Sequence, residues 1–377
     1  MLDANIRDGH LHYIETLRDP GDPLVVADCR EPERNRLVKR GRRDFGCVRD
    51  AVHIYNRDAA GSDRHGRYRI IFAFSSPCQV GATSYTLRVT HPPILLGTSS
   101  FTAAGWDGTF YPTGMRSADY LTFYAQHFRT VEVDSTFYAC PSTRAVSSWA
   151  SRTPEGFIFA VKAPHAITHE KVLRRCEQDV KQFLDTMEIL GKKLGPIVFQ
   201  FPFFSRSAFR DRNEFLDRLI PFVRKRPVSH KFAIELRNRG WLDAELASLF
   251  RDHRIALVLQ DRSLMPSPSE LDFDPITADW TYIRWLGDRK AIEERTTTWN
   301  KTVIDRSAEL KSWVDYCDQV RKRGVLVCAY ANNHFGGHAP ATIEQFRSLW
   351  HAKGLPEIPK PTRALPEPSL FPEMLSR

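Results

Sequence analysis

Eight short apolar segments, each ending near a polar or charged residue, constrain the fold of this chain more than any other feature of its sequence. They are rich in β-branched and aromatic residues, as strands buried on both faces of a parallel sheet require. Polar groups that collect at the carboxyl ends of such strands mark the usual position of a ligand site. The segments are residues 94–98, 130–134, 157–162, 196–201, 231–236, 255–260, 280–285 and 325–330.

The spacing of these segments predicts an α/β fold, a single closed (β/α)8 barrel of the TIM type, because helical patterns separate most of them over a length near the usual ~250 residues. An open doubly wound sheet is the alternative, but its edge strands would be apolar and uncovered. Ser142 and Asp243 are predicted helix N-caps. Residues 266–275 contain three prolines, so the helix between the sixth and seventh strands is expected to be short or missing.

Residues 1–92 differ from the rest of the chain, because they contain a basic cluster at 30–43 and a loop-like segment, rich in Gly, Asp and Arg, at 57–66. We predict that this region is a poorly ordered basic N-terminal extension. One form of this prediction is that a wrong start codon has added upstream sequence to the protein. A basic arm that binds nucleic acid is the alternative. The pieces 68–74 and 85–90 can pair as a hairpin, which is marginal on its own. The barrel is assigned to residues 93–354 and an extended, Pro-rich tail to 355–377.

Composition narrows the classes of protein to consider. With 377 residues, 42% of them hydrophobic, the chain can bury a large core. No apolar run approaches the ~20 residues that span a bilayer, and the N-terminus lacks the apolar stretch of a signal peptide, so a cytoplasmic protein without membrane partners is expected. The seven cysteines are scattered and never spaced C-x-x-C, which indicates reduced thiols. A net charge of +9 favours anionic partners.

Several motifs along the predicted barrel occur together in one order. They are Gly97-Thr-Ser99, Trp106-x-Gly108-x-Phe-Tyr-Pro112, Val131-Glu-Val-Asp-Ser-Thr-Phe-Tyr138, Phe159-Ala-Val-Lys-Ala-Pro164, Thr168-His169, Gln200-Phe-Pro202, Glu235-x-Arg237 and Asn332-Asn333. In this combination the chain resembles the YecE-like proteins, domain-of-unknown-function family 72, over residues 94–350. The resemblance implies a TIM-type barrel and no particular reaction. The chain departs from the family at Asp134, where members often have Asn, and at Trp285-Leu286, where many have His.

Alternation along the strands predicts which side chains share the barrel interior. We expect Glu132 and Glu235 to act as general acid and base, helped by Lys162 and Asp261. Cationic groups there would bind an anionic group or a developing negative charge. The predicted substrate-binding residues are Arg237, Arg284, Gln200, Asn332, Asn333, Trp106, Tyr138 and His169. The alternative is a buried ion network that closes the end of the barrel.

The sequence predicts an enzyme that uses carboxylate acid/base chemistry on a small polar or anionic ligand, phosphorylated or carbohydrate-like, at the barrel mouth. The alternative is a nucleic-acid-binding or nucleic-acid-processing protein, with Trp106 as part of a stacking platform. No phosphate-binding loop, nucleophile elbow or dinucleotide fingerprint is present.

The sequence does not firmly imply a cofactor, but it is compatible with a divalent metal ion. His169, Glu235 and Asp261 are candidate ligands by analogy with metal-dependent barrel endonucleases. The H-x-x-x-H pairs at 165/169 and 334/338 lie in loop text beside proline or glycine, so exposed loop histidines are the preferred interpretation.

Overall fold

The computed structural model describes residues 2–7, 10–16, 67–71, 84–88, 91–358 and 361, and its central feature is an eight-stranded parallel sheet. The predicted α/β barrel is confirmed. Its strands are β1 (Ile94–Thr98), β2 (Thr130–Val133), β3 (Ile158–Lys162), β4 (Leu194–Gln200), β5 (Phe232–Glu235), β6 (Ala256–Arg262), β7 (Trp280–Gly287) and β8 (Leu326–Ala331).

Helices follow most of the strands, and several of them begin at a residue whose side chain caps the helix. Ser142 Oγ accepts the N–H of Ala145 at 3.2 Å, and Asp243 Oδ1 accepts the N–H of Leu246 at 2.9 Å, so both predicted N-caps are confirmed. The helices are α1 (Tyr120–His127), α2 (Thr143–Ser151), α3 (Glu177–Met187), α4 (Arg212–Lys225), α5 (Ala244–Asp252), α6 (Arg289–Glu293), α7 (Ser307–Lys322), α8 (Asn333–Gly336) and α9 (Ala339–Ala352). Between β6 and β7 only a 3-10 turn, Pro268–Glu270, is present, as the prolines predicted.

The strand order β1-β8-β7-β6-β5-β4-β3-β2 brings β1 and β2 to the two ends of the hydrogen-bonded sheet. A tyrosine from α1 bridges this seam. The Tyr124 hydroxyl accepts the backbone N–H of Thr98 at 2.9 Å and donates to the carbonyl of Thr130 at 3.1 Å. It thereby provides hydrogen-bond partners for backbone groups that a continuous β-ladder would pair with each other. The barrel is therefore nearly closed. Gly97 allows close approach here, since a Cβ atom at this position would lie 2.2 Å from the Thr130 carbonyl oxygen.

Apolar residues fill both sides of the sheet. Val131, Val161 and Ile234 pack in the outer layer against the helices, as their alternation predicted. The interior is a second cluster that mixes alanine with large aromatic rings, so small and large side chains interdigitate. Its buried members are Leu95, Ala160, Val198, Ala233, Ala256, Val258, Trp280, Tyr282, Cys328 and Tyr330. Within the described residues, no helix combines the length and apolar character needed to cross a bilayer.

Two antiparallel strand pairs precede the barrel and form a separate unit of the chain. Leu2–Arg7 pairs with His10–Thr16, and Arg67–Ile71 pairs with Ser84–Arg88. The second pair falls on the two pieces that the sequence suggested for a hairpin. The poor order predicted for residues 1–92 and the extended tail predicted at 355–377 concern residues that lie largely outside the described ranges. These stay predictions.

Candidate functional site at the C-terminal end of the barrel

Inward-facing positions change from apolar to polar as the strands approach their carboxyl ends. On β3 the buried Ala160 is followed two residues later by Lys162, and on β5 Ala233 is followed by Glu235. Because side chains alternate along a strand, these polar groups share the interior with the apolar layer beneath them. The polar layer consists of buried side chains from six strands, namely Glu132, Lys162, Gln200, Glu235, Gln260 and Arg284.

Arg284 of β7 bridges two carboxylates at the centre of this layer. Its Nη2 lies 2.7 Å from Glu132 Oε1, and its Nη1 lies 2.5 Å from Glu235 Oε2. The side chains of both glutamates are completely buried, and that of Arg284 is 3% exposed. A forked guanidinium suits this arrangement, since two parallel donors hold two acceptors at fixed positions. Strands β2, β5 and β7 are therefore linked by one buried ion cluster.

The remaining oxygens of the two glutamates are also occupied. The Tyr282 hydroxyl donates to Glu132 Oε2 at 2.6 Å, and Arg237 Nε lies 3.2 Å from Glu235 Oε1. Burial raises the pKa of Glu235, but the charges of Arg284 and Arg237 outweigh it and lower that pKa to about 2. Burial, with the charge of Glu132, raises the pKa of Tyr282 well above its ordinary value, so this phenol remains a donor. Glu235 is thus an ionised acceptor at neutral pH.

Lys162 occupies the edge of the cluster next to β2. Its Nζ lies 2.9 Å from Asp134 Oδ1 and 3.8 Å from the centre of the Phe137 ring. The Lys162 side chain is 7% exposed, whereas that of Asp134 is 32% exposed, so this pair connects the buried layer to the rim. Burial lowers the pKa of Lys162, and the neighbouring Arg284 acts in the same direction against the opposing pull of Asp134.

His169 lies above the same edge. Its Nδ1 is 2.9 Å from Thr168 Oγ1, and its Nε2 is 3.5 Å from Gln200 Nε2. Burial and the charges of Lys162 and Arg237 lower the pKa of His169 to about 4, so the imidazole is neutral at pH 7. An amide N–H of Gln200 can only donate, which assigns the proton of the neutral ring to Nδ1 and leaves the Nε2 lone pair on the cluster side.

Charges of both signs meet in this cluster. Arg262, at the end of β6, interacts electrostatically with Arg237, Glu235, Arg284 and Asp288. The cations are Lys162, Arg237, Arg262 and Arg284, and the carboxylates are Glu132, Asp134, Glu235 and, beside Arg262, Asp288. The guanidinium groups of Arg237 and Arg262 stay partly exposed and favour an anionic ligand.

A cavity of about 510 Å³ adjoins the cluster at Arg262. Charged residues of both signs from the loops after β6 and β7 surround it, and it does not extend to Lys162 or Glu235. Its lining consists of Arg262, Ser263, Asp288, Arg289, Lys290, Glu293 and Glu294. The cavity therefore lies beside the charged cluster and does not enter it.

Asp261 does not join the cluster, which corrects the sequence-based expectation. Its Oδ2 accepts the indole N–H of Trp313 in α7 at 2.6 Å, so the side chain points to the helix layer. Its register partner on β7 is Trp285, which also packs in the outer layer. Gln260 is the residue of β6 that faces inward. The proposed metal ligands His169, Glu235 and Asp261 are therefore not brought together.

Trp106 and the two asparagines after β8 are engaged in structural contacts. Trp106 is 1% exposed, and its indole N–H donates to Asn333 Oδ1 at 3.2 Å. That oxygen also accepts the N–H of Ala339 at 2.9 Å. Asn332 Oδ1 accepts the N–H of His334 and caps α8. Since a ring buried to this extent offers no free face, Trp106 fits the role of packed loop residue, and not that of the predicted stacking platform.

The other predicted residues lie where their strands end. Arg237 and His169 border the cluster, and Tyr138 is 71% exposed in the loop after β2.

Four functional candidates were missed from sequence, namely Asp134, Gln260, Arg262 and Tyr282. Alternation carries a usable signal for Asp134 and Tyr282, which stand two residues from Glu132 and Arg284, but on β6 both faces are apolar and leave the phase of Gln260 and Arg262 open. Gln260 and Arg284 are also register partners on neighbouring strands.

The H-x-x-x-H pairs do not form a metal site. His165 lies 3.0 Å from Glu170, and His334 lies between Asn332 and Glu293. His338 packs edge-on against Trp106. Across the part of the chain that the structure describes, no three His, Cys, Asp or Glu side chains are grouped so as to hold a metal ion.

The fold and the cluster together define a class, that of parallel eight-stranded β/α barrels with a buried carboxylate–arginine cluster at the C-terminal end. The model of one family, described as "Protein of unknown function DUF72", matches residues 95–366. The chain belongs to this family, and the resemblance found in its sequence motifs is thereby confirmed.

Named relatives support the assignment. The chain is 33% identical to the UPF0759 protein YecE of Escherichia coli K12 over 118 residues, which cover 31% of this chain and 41% of YecE. It is 29% identical to the UPF0759 protein YunF of Bacillus subtilis over 264 residues, 65% of this chain and 92% of YunF. The match to YecE therefore spans less than half of that protein.

Two solved structures share the fold. A DUF72 family protein from Thermotoga maritima has a TM-score of 0.57 at 26% identity and covers 69% of this chain and 99% of its own. One from Enterococcus faecalis has a TM-score of 0.52 at 22% identity and covers 75% and 100%. Neither these descriptions nor that of the family names a reaction, so chemistry has to be argued from the site.

Proposed function

We propose that this chain is an enzyme that acts on a small anionic substrate, phosphorylated or carbohydrate-like, at the C-terminal end of the barrel. The observation that carries the proposal is the Lys162–Asp134 pair, which lies beside a buried Glu132–Arg284–Glu235 cluster and reaches the rim. In barrels of this kind the C-terminal face is the usual site of catalysis.

The two glutamates suit a supporting role better than the acid and base roles that their sequence positions suggested. Their four oxygens are occupied, and the pKa of Glu235, about 2, is too low for an efficient base at neutral pH. We propose instead that they fix Arg284 and maintain the field of the cluster. Proton transfer falls to Lys162, Asp134 and the neutral imidazole of His169, which border the rim.

The two partly exposed guanidinium groups support an anionic substrate. Arg237 is 28% exposed, and both Arg237 and Arg262 remain partly accessible. Guanidinium groups bind carboxylate and phosphate oxygens through paired N–H donors. In the same layer, the buried atoms Arg284 Nε and Gln260 Oε1 have no hydrogen-bond partner within the described residues.

Nucleic-acid binding remains a separate prediction. The basic cluster at residues 30–43, on which it rests, lies outside the described residues. The aromatic ring intended for base stacking, Trp106, is buried. The cytoplasmic location and the use of a divalent metal likewise stay predictions.

A ligand screen tests the proposed function. Phosphosugars, sugar acids and nucleotides would be tested by thermal shift on the wild-type protein and on Arg237→Met. We expect at least one small anion to raise the melting temperature of the wild type, by several degrees at saturation, and to have little effect on Arg237→Met, because the variant loses an anchoring cation. Arg210→Met is the control, since the Arg210 side chain is 86% exposed. Equal shifts for all three proteins, or none for any, would contradict the proposal.

A further inference from the structure

We propose that Lys162 is a nucleophile whose side-chain amine forms a Schiff base with the carbonyl carbon of a small anionic aldehyde or ketone. The inference rests on the proposed function and names the class of substrate for the same site.

Lys162 lies at the edge of the buried layer, beside a residue of the rim. It is the last residue of β3 and faces the barrel interior, where its amine is confined between Asp134 Oδ1, at 2.9 Å, and the Phe137 ring, at 3.8 Å. Phe137 belongs to the turn after β2, and Asp134 is one-third exposed. A carbonyl group that approaches from the rim therefore meets the amine beside Asp134.

Charge compensation is weaker at Lys162 than at Arg284. Arg284 has two completely buried carboxylate partners, within 2.7 Å. Lys162 has one ion-pair partner, the partly exposed Asp134, among the described residues. Repulsion by Arg284 and burial both lower the pKa of Lys162. A lysine in such surroundings supplies more neutral amine at physiological pH, as Schiff-base lysines require.

The neighbouring groups can move the protons that the reaction needs. Asp134 takes a proton from the Lys162 ammonium, and the free amine attacks the carbonyl carbon, so that a C–N bond forms while the C=O π bond breaks towards oxygen. Asp134 returns its proton to that oxygen, and the nitrogen releases one proton to His169, which is neutral at pH 7, to give a neutral carbinolamine. The His169 imidazolium then protonates the hydroxyl group, the C–O bond breaks, water leaves, and the nitrogen lone pair forms the C=N bond of a protonated Schiff base. No oxidant or reductant is consumed.

The cationic rim selects an anionic carbonyl compound. Arg237 and Arg262, at the ends of β5 and β6, interact with the same cluster as Lys162. They would hold a phosphate or carboxylate while the carbonyl group reaches the amine. Compounds with a carbonyl group but no anionic group would lack this contact and should react more slowly.

Reductive trapping tests the proposal. The purified protein would be incubated with pyridoxal phosphate or glyceraldehyde 3-phosphate, reduced with borohydride, and mapped by peptide mass spectrometry. We expect the reduced adduct on Lys162 at the highest occupancy of any lysine, because its lowered pKa leaves more of its amine neutral than that of an exposed lysine. Lys162→Met and Lys162→Arg should lose this adduct. Lys181→Met, which removes a side chain that is 75% exposed, should retain it.

Adducts spread evenly over surface lysines, with none enriched at Lys162, would overturn the inference. Glycerol 3-phosphate, an anion without a carbonyl group, separates this failure from failure of the proposed function. If glycerol 3-phosphate raises the melting temperature of the wild type but not that of Arg237→Met and no adduct forms, the anion site stands and the Schiff base does not. If the screen and the trapping both fail, both proposals are contradicted.

Discussion

Replacing Arg284 by methionine is expected to destabilise the barrel by about 3–5 kcal/mol at pH 7, because two buried carboxylates lose the charge that compensates them. Glu132 and Glu235 would remain completely buried with no guanidinium between them. Methionine has a similar length and adds no polar atom, so the loss is chiefly electrostatic. Urea unfolding at pH 7 measures the change.

The same variant should show an inverted pH dependence. Without Arg284, burial raises the pKa of Glu235 above that in the unfolded chain. A group with a raised pKa binds protons more tightly when folded, so the free energy of unfolding of the variant should increase as the pH falls from 7 to 5. Arg289→Met is the control, because its ion pair with Glu293 is exposed and should contribute ~1 kcal/mol or less. An Arg284→Met protein as stable as the wild type at pH 7 would contradict the described cluster.

Glu235 should contribute about 3 kcal/mol of pH-dependent stability to the wild-type protein. Its pKa is lowered from 4.5 to about 2, since Arg284 and Arg237 outweigh the effect of burial. Because the folded pKa lies below the unfolded one, the contribution is complete above pH 4.5 and is lost as the pH falls towards 2. Glu235→Gln should therefore be less stable than the wild type at pH 6, and the difference should shrink below pH 4.5.

Urea denaturation of both proteins between pH 2.5 and 7 would measure this difference directly. Glu293→Gln is the matched control, since the pKa of Glu293 is also lowered but its side chain is 42% exposed. The control should unfold in parallel with the wild type at every pH. Parallel curves for Glu235→Gln as well would mean that Glu235 is not the ionised partner of Arg284 at neutral pH.

The barrel could be predicted from sequence because each of its strands has a recognisable sequence pattern. Each is a short apolar run, as burial on both faces demands, and each ends near a polar residue. The closure of the barrel at β1 and β2 could not be predicted, because it depends on Tyr124, whose hydroxyl meets Thr98 and Thr130 only after α1 has packed. No local pattern distinguishes that tyrosine from the neighbouring Tyr120.

The site could be predicted on those strands whose sequence shows which side chains face the barrel interior. On β2, β3 and β5 the polar residue alternates with residues that face the interior, which identified Glu132, Lys162 and Glu235. On β6 both faces are apolar, so the sequence offers no sign of which face Asp261 occupies, and the interpretation of Asp261 was wrong. Loop residues such as Trp106 raise a similar difficulty, because their burial depends on distant segments.

The most direct test of the central claim, that Lys162 belongs to a ligand site and not to a structural ion pair, is the stability of Lys162→Met with and without an anion identified by the screen. Without ligand, we predict a free energy of unfolding within about 1 kcal/mol of the wild type, because Asp134 is one-third exposed and can be hydrated. At a ligand concentration of ~100 times Kd, the wild type should gain about 2.7 kcal/mol and the variant much less. A variant that loses several kcal/mol without ligand yet keeps the full gain with it would contradict the account.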